Sequence, residues 1–264
     1  MKPHRPIILL FLSASLLPLA AQIPAPAPAP TAKQLAASVI AQQHTRGLTA
    51  NGRMVITAPA TERRTLQFLI HGRQDHEGSQ MLYLALYPQA DKGRAVVIRK
   101  GSDNDISGFI REPSGKIQNL KPERMKQPFF GSDITLEDLA ADFWNWPSPK
   151  LAGQGTVCHK NCYIIDWCAP KGRDADHEIM RAWISPETSL PLRIESYLDN
   201  GTLIKRTECR KLVKSGNRWS MAELATETPA TGGRTSIDFS KGALDVEVPA
   251  TDFTPAGIAK ILQE

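Results

Sequence analysis

The alternation of apolar and polar residues in the middle of the chain predicts β-strands. Leu66, Phe68 and Ile70 alternate with polar neighbours, as in a strand with one buried face and one solvated face. Residues 81–87 and 95–98 are instead apolar at nearly every position. Those two strands must therefore be covered on both faces or line an internal space.

Further strand-like segments follow, among them 162–168, 179–184, 192–198 and 203–213. Between the last two, Asp199-Asn200-Gly201 is a strong signal for a tight hairpin. Short connections of this kind join antiparallel neighbours. We therefore predict a long antiparallel sheet of about ten strands, and an open twisted sheet of that size tends to curl.

Three segments have helical periodicity. The first begins at Thr31 and the last, a short one, at Thr254. The central helix, at 135–146, begins with Thr135 and Asp138 at capping-box spacing. One apolar face of this helix follows the i, i+3, i+4, i+7, i+8 pattern through Leu136, Leu139, Ala140, Phe143 and Trp144.

The N-terminal segment has the three parts of a secretory signal peptide. Lys2 and Arg5 precede a short apolar run and a small-residue site, so we predict a signal peptide at 1–21. A Pro- and Ala-rich linker at 22–30 and a single domain at 31–264 follow. The expected location is therefore outside the cytoplasm.

Charge does not favour a nucleic-acid partner. The formal charge of the whole chain is +5. Removing the leader with Lys2 and Arg5 lowers it to +3, and the basic residues are evenly scattered. We therefore expect no nucleic acid among the partners.

Four cysteines in an exported chain favour disulfides. They are Cys158, Cys162, Cys168 and Cys209, and three pairings are possible. We prefer Cys158 with Cys162 and Cys168 with Cys209. A zinc site with His159 and His177 is the alternative, but the spacing matches no standard zinc pattern.

Catalytic motifs are absent from the sequence. It contains no Gly-x-Ser-x-Gly elbow, no His-Glu-x-x-His motif and no phosphate-binding glycine loop. Asp174, Asp176, His177 and Glu178 form an acidic cluster, but they lie in a probable loop where a solvated turn is the common explanation. We predict neither an enzyme nor a cofactor or metal.

Residues 129–139 resemble a known family motif. Phe129-Phe130-Gly131-Ser132-Asp133-Ile134-Thr135 with Glu137-Asp138-Leu139 is similar to the F-x-G-S-D-F-T-x-E-D-L motif of the outer-membrane lipoprotein-sorting family, the LolA-like periplasmic carriers. Arg124 matches the arginine that precedes the motif. The segments 183–193 and 233–237 also resemble family positions. The four cysteines are a departure from the family pattern.

The resemblance implies an α+β fold, in which a large curled antiparallel sheet forms an incomplete, half-open β-barrel with short helices covering its concave face. A flat sandwich is the competing architecture. The implied function is a carrier that binds the acyl chains of lipoproteins or other lipids in an apolar cavity and moves them toward the outer membrane. Inner- and outer-membrane transport components are possible partners, and we expect a monomer.

The predicted ligand-binding residues come from the aromatic turn, the central helix and the sheet. They are Tyr83, Arg124, Phe129, Phe130, Phe143, Trp144 and Trp183. Any one of the aromatic side chains is also compatible with an ordinary core position.

The alternative function is a lipid-sensing regulatory protein of the periplasm that binds a signalling partner protein. Both functions use the same half-barrel. The regulatory alternative predicts a second C-terminal domain, and the sequence ends soon after Leu262, so we favour the carrier. The resemblance implies the periplasm as the location in either case.

Overall fold

The computed structural model describes residues 29–43, 45–58, 61–103, 105–171 and 177–263. The predicted signal peptide and most of the predicted linker lie outside these residues, as do Asp174 and Asp176. Within the described part of the chain, no helix is both long and apolar enough to span a membrane.

Thirteen strands form one antiparallel sheet. They are β1 (Gly47–Ala58), β2 (Thr61–Asp75), β3 (Gly78–Tyr87), β4 (Ala95–Gly101), β5 (Ile106–Arg111), β6 (Ile117–Asn119), β7 (Lys150–Val157), β8 (Lys160–Cys168), β9 (Ile179–Ser185), β10 (Leu190–Tyr197), β11 (Leu203–Ser215), β12 (Arg218–Thr228) and β13 (Gly233–Leu244). Their order is β6-β5-β4-β3-β2-β1-β13-β12-β11-β10-β9-β8-β7. Both ends of this order are free edges, so the sheet is not closed, and the alternative of two stacked sheets is wrong.

The sheet curls strongly at one end. Strands β8 and β12 are four strand positions apart, which is roughly 19 Å in a flat sheet. Yet Lys160 Nζ in β8 lies 4.7 Å from the centre of the Trp219 ring in β12. The predicted curled, half-open barrel is therefore confirmed.

The first strand was missing from the predicted sheet. β1 pairs with β2 on one side and with β13 on the other, so it joins the two halves of the sheet at the centre.

Strand β3 is covered on both faces, as its uniformly apolar sequence predicts. Tyr83 packs against the aromatic turn at Phe129, with 5.2 Å between ring centroids. Leu82, which points the other way, is fully buried in a cluster with Phe253 and Ile258. The aromatic turn at Phe129 therefore covers one face of β3, and the C-terminal segment with Phe253 and Ile258 covers the other.

The last helix covers the outer face of the sheet. The helices are α1 (Ala32–Gln43), α2 (Leu136–Ala140) and α3 (Pro255–Ile261). The prediction placed the helices on the concave face. For α3 this is wrong, because Ile258 packs with Leu82 and Leu84 and not with the Tyr83 side of β3. The apolar outer face of β3 and β4 needs this cover.

The central helix is shorter than predicted. α2 begins with the expected capping box, in which Thr135 N–H donates to the Asp138 carboxylate at 2.7 Å. Ala141 then takes a left-handed conformation, with φ 47°, and a 3-10 helix follows at Asp142–Asn145. The break directs Phe143 away from the α2 cluster and toward Trp167, 5.5 Å away between ring centroids.

Helix α1 covers the concave face of the other half of the sheet. Leu35 and Val39 are buried against a cluster that includes Trp167 and Ile184. A row of successive cross-strand neighbours runs over the sheet and places the α1 and α2 clusters on the same face. Its members are Ile56, Thr235, Thr226, Thr207, Ile194, Ala182 and Ile165.

The outer face of this half carries charges instead of a helix. Arg181 binds Asp166 with two hydrogen bonds of 2.7 and 2.8 Å, and Arg206 binds the buried Glu195 at 2.6 Å. In each pair the opposite charges neutralise one another through hydrogen bonds, so this surface can face solvent without a covering element.

Candidate ligand-binding cavity

The aromatic turn is held to the sheet by a polar contact. In the 3-10 helix Phe129–Gly131, Gly131 has φ +76°, and Asp133 follows it. The Asp133 carboxylate accepts a hydrogen bond of 2.8 Å from the Thr235 hydroxyl in β13, and Asp133 N–H donates to the same hydroxyl at 3.0 Å. A Cβ on Gly233 would lie 2.2 Å from the Asp133 carboxylate, so this close approach requires glycine.

A cavity of about 1030 Å³ lies between the concave face of the sheet and the elements around α2. This volume is at the upper end of the range for small-molecule sites. The apolar side chains that line it include Leu48, Ala50, Phe68, Ile70, Met81, Tyr83, Phe129, Leu139, Phe143, Met180, Met221, Ala222, Leu224, Ile237 and Phe239. An apolar space of this size suits a hydrocarbon chain, because each buried methylene contributes about 0.8 kcal/mol.

Charged residues lie at two separate ends of the cavity. At the α2 end, Asp138 pairs with Lys205 of β11. At the other end, Lys211, Lys241 and the Arg218–Asp245 pair belong to the lining. Lys205 and Lys211 are six residues apart on β11, which separates the two ends by roughly 20 Å along the strand.

Three of the predicted ligand-binding residues line the cavity together: Tyr83, Phe129 and Phe143. Phe130 and Trp144 lie behind them and are not part of the lining. Phe130 stacks on Phe129 with 4.1 Å between centroids, and Trp144 lies 4.3 Å from Phe143. Both support the lining residues from the core side.

Two predicted residues are not part of the lining. Trp183 points to the opposite face from its neighbours Ala182 and Ile184, and its ring carries the Arg193 guanidinium 5.0 Å above it. It packs in a buried cluster with the lining residue Cys209. Arg124 ends the 3-10 helix Pro122–Arg124 and also lies outside the lining.

Sequence reasoning missed the large contribution of β1, β12 and β13 to the lining. Leu48 and Ala50 alternate with polar residues, and the β-branched run Val55-Ile56-Thr57 is typical of a strand, so a signal for β1 was present. The pattern of β12 is weaker, because Met221 and Ala222 are adjacent and both line the cavity at an irregularity in the strand pairing.

Burial raises the pKa of the Tyr83 hydroxyl to about 12. The cause is desolvation, which disfavours the charged phenolate. Tyr83 therefore adds a neutral hydroxyl to the otherwise apolar wall formed with Phe129.

The thiols form a group beside the cavity. Cys158 Sγ–H donates to the Cys209 carbonyl oxygen at 2.9 Å, and Cys209 belongs to the cavity lining. Burial raises the pKa of Cys209 to about 12, and the neighbouring Cys158 adds to the increase. Burial also raises the pKa of Cys162 to about 11.

The four cysteines are free thiols in this structure. The predicted pairing of Cys168 with Cys209 is wrong, because strand register places Cys168 beside Ile179 in line with Tyr197 and Leu203, six residues along β11 from Cys209. His177 stacks on Trp146 with 5.6 Å between ring centroids. Over the described ranges, no three His, Cys, Asp or Glu side chains are grouped as metal ligands.

Comparison with known proteins places the chain in a family. A family model described as "uncharacterized protein" matches residues 77–260, well over half of the chain. The chain belongs to this family. A comparison with curated protein sequences finds no match.

Solved structures share the fold of this family member. A DUF1329 family protein from Desulfovibrio piger is 20% identical with a TM-score of 0.78, covering 86% of this chain and 97% of the other. An outer membrane lipoprotein-sorting protein domain from Vibrio parahaemolyticus, described as putative, is 16% identical with a TM-score of 0.75, covering 88% and 98%. A LolA superfamily protein from Nitrosomonas europaea is 17% identical with a TM-score of 0.66, covering 86% and 98%. The fold is therefore LolA-like.

Proposed function

We propose that this protein is a periplasmic carrier that binds the acyl chains of lipoproteins or other lipids and moves them toward the outer membrane. The observation that carries the proposal is the apolar cavity of about 1030 Å³ on the concave face of the sheet. Its wall includes Tyr83, Phe129 and Phe143, three of the residues predicted from the sequence to contact a ligand.

The energetics of such a site suit a carrier. At about 0.8 kcal/mol for each buried methylene, part of one acyl chain is sufficient for useful affinity without a catalytic group. The name of the Vibrio parahaemolyticus relative, a lipoprotein-sorting protein domain, agrees with this activity. The proposal assigns the bound chain to the space between β1, β13 and the aromatic turn.

Tryptophan substitutions that fill the cavity, without disturbing the rest of the sheet, test this proposal. Ala50 and Ala222 line the cavity and are only partly buried, so Ala50→Trp and Ala222→Trp place an indole in the space meant for the ligand. Ala152→Trp on the exposed edge strand β7 is the matched control. Binding of a fluorescent fatty acid to the full-length purified protein is the measurement.

We expect the wild type and Ala152→Trp to bind the probe and the two cavity variants to bind it more weakly, with unchanged urea midpoints. Lipid extracted from wild-type protein purified from its own host should be depleted in the cavity variants. If the wild type neither binds the probe nor carries extractable lipid, the carrier proposal is wrong.

A further inference from the structure

We propose that the cavity selects lipids with an anionic phosphate head group, which Lys211 and Lys241 bind at its mouth. This inference rests on the proposed function, because the acyl chains of the same lipid would occupy the apolar interior. The ligand class is an anionic phospholipid, whose head group carries a net negative charge.

The mouth lies where β11 and β13 end and where β1 and β12 begin. Lys211 lies in the C-terminal half of β11, and Lys241 lies in the C-terminal half of β13. Both belong to the cavity lining and both are exposed, so they can reach a ligand in the mouth and the solvent outside it.

The charge at this mouth is unbalanced. The charged lining residues here are Lys211, Arg218, Lys241 and Asp245. Asp245 accepts hydrogen bonds from Arg218 at 3.0 Å and from the Thr45 hydroxyl at 3.0 Å, so its charge is already compensated. Glu223 is the cross-strand neighbour of Lys211, but it is not part of the lining. Among the residues that the structure describes, neither Lys211 nor Lys241 has an ion pair. The two ammonium groups therefore favour an anion at the mouth.

The backbone is irregular at both lysines. In β13, Lys241 and Gly242 lie opposite Ala50 of β1, which is a β-bulge, and Lys241 has φ +50°. In β11, the pairing shifts on both sides of Lys211. Bulges near the rim of a barrel change the direction in which a side chain points, and a left-handed non-glycine residue is a strained conformation that concentrates at functional sites.

The opposite end of the cavity does not offer the same environment. There Asp138 is held by Lys205 and by the N-terminal turn of α2, and Glu137 adds a second carboxylate to the lining. The Lys205 ammonium at the α2 end is already paired with Asp138, whereas Lys211 and Lys241 are available to an anionic head group at the other end. The head group of the lipid should therefore lie at the lysine end of the cavity, with the acyl chain extending toward α2.

The experiment compares three single-chain lipids of equal chain length on the full-length protein. Lysophosphatidylglycerol carries an anionic phosphate, lysophosphatidylcholine carries a phosphate with no net charge, and the free fatty acid carries a carboxylate. The variant is K211Q with K241Q, and the matched control is K116Q with K121Q, two exposed lysines outside the lining.

We expect the wild type and the control to prefer lysophosphatidylglycerol to lysophosphatidylcholine by about tenfold or more, since each lysine near an anionic lipid contributes about fivefold. The K211Q, K241Q variant should bind both phospholipids with the affinity that lysophosphatidylcholine has for the wild type. The preference should weaken at high salt, because the lysines are exposed.

The outcomes separate this inference from the proposed function. If no lipid binds to the wild type, the carrier proposal fails. If lipids bind but the preference is absent, or survives in K211Q with K241Q, only the head-group assignment is overturned. If the fatty acid binds more tightly than lysophosphatidylglycerol, the phosphate assignment is likewise overturned, in favour of a carboxylate.

Discussion

Cys158 and Cys209 touch across the curled end of the sheet, where the Cys158 thiol donates to the Cys209 carbonyl oxygen at 2.9 Å and the Cys209 thiol donates to the Lys211 carbonyl oxygen at 3.4 Å. They are 51 positions apart in the sequence. Cys158 lies in the turn between β7 and β8, and Cys209 lies in β11 beside the cavity. The contact therefore connects the edge of the sheet to the wall of the proposed lipid site.

We predict that oxidation joins Cys158 to Cys209. The two thiols lose two protons and two electrons to the disulfide of a thiol oxidase, which becomes a dithiol. A bond that closes a loop of this length stabilises the fold by about 4 kcal/mol in the chain-entropy model. Peptide mapping of the full-length protein, expressed with its N-terminal segment and isolated without reductant, should show a Cys158–Cys209 linkage.

The remaining cysteines provide the internal control for this prediction. Exposed Cys168 should react first with an alkylating reagent at pH 8, whereas Cys162 should react slowly because burial raises its pKa to about 11. Cys158→Ser should lower the urea midpoint of the oxidised protein and Cys168→Ser should not. A linkage of Cys158 to Cys162 would contradict the prediction.

The contact between Asp133 and Thr235 should determine the position of the aromatic turn. Thr235→Val removes the hydroxyl that donates to the Asp133 carboxylate at 2.8 Å, in a site where Thr235 is fully buried. The carboxylate then loses a partner, and we expect a loss of about 1–3 kcal/mol in the free energy of unfolding. Urea denaturation is the measurement.

Thr202→Val is the matched control, because Thr202 is exposed in the turn that leads into β11. It should change the free energy of unfolding by less than about 0.5 kcal/mol. Thr235→Val should also weaken binding of the fluorescent fatty acid, because Phe129 belongs to the same turn and should be displaced with it. Unchanged stability in Thr235→Val would show that the polar contact does not hold the turn.

The sequence predicted the surroundings of β3 correctly but not those of β9. Because Leu82, Tyr83 and Leu84 are all apolar, β3 had to be covered on both faces, and the structure confirms this. In β9 the same lack of alternation was misleading. Met180, Ala182, Trp183 and Ile184 are all apolar, so the pattern did not show that Trp183 points to the opposite face from Ala182 and Ile184.

Features that depend on a single backbone conformation were not predictable from the sequence. Alanine favours the helical region, so nothing at Ala141 signalled the left-handed residue that ends α2 and redirects Phe143. The bulge at Lys241 is likewise set by the pairing with β1, which is almost 200 residues earlier in the chain. Long-range register therefore determined the mouth of the cavity, and local periodicity did not.

Tyr83 should make stability decrease at alkaline pH. Its pKa is about 12 in the folded protein and about 10 in the unfolded chain, so its contribution is fully present below pH 10 and is lost as the pH rises toward 12. The loss attributable to this residue is about 1.4 kcal/mol at pH 11. Urea denaturation of Tyr83→Phe and wild type at pH 8 and pH 11 measures it.

The difference in free energy of unfolding between pH 8 and pH 11 should be smaller in Tyr83→Phe than in the wild type. Tyr87 is the control, because its side chain is 53% exposed. Tyr83→Phe is therefore compared with Tyr87→Phe in the same measurement. Equal pH differences in the Tyr83 and Tyr87 variants would mean that Tyr83 is not desolvated in solution.

The two faces of β3 should respond differently to truncation. Ile258 of α3 is fully buried on the outer face, so Ile258→Ala should lower the free energy of unfolding by about 2–5 kcal/mol. It should leave the affinity for the fluorescent fatty acid unchanged under conditions where the variant is folded. Leu139 of α2 is only partly buried and lines the cavity, so Leu139→Ala should cost less stability but weaken binding.

Ile258 and Leu139 lose their contact with water at different steps. Ile258 loses contact with solvent on folding, whereas Leu139 remains beside an apolar space that a ligand fills, so part of its burial occurs only on binding. Urea denaturation and probe titration on the same two preparations separate the effects. If Ile258→Ala weakens binding as much as Leu139→Ala does, the outer face is not independent of the cavity, and the assignment of the two faces to stability and to ligand binding is wrong.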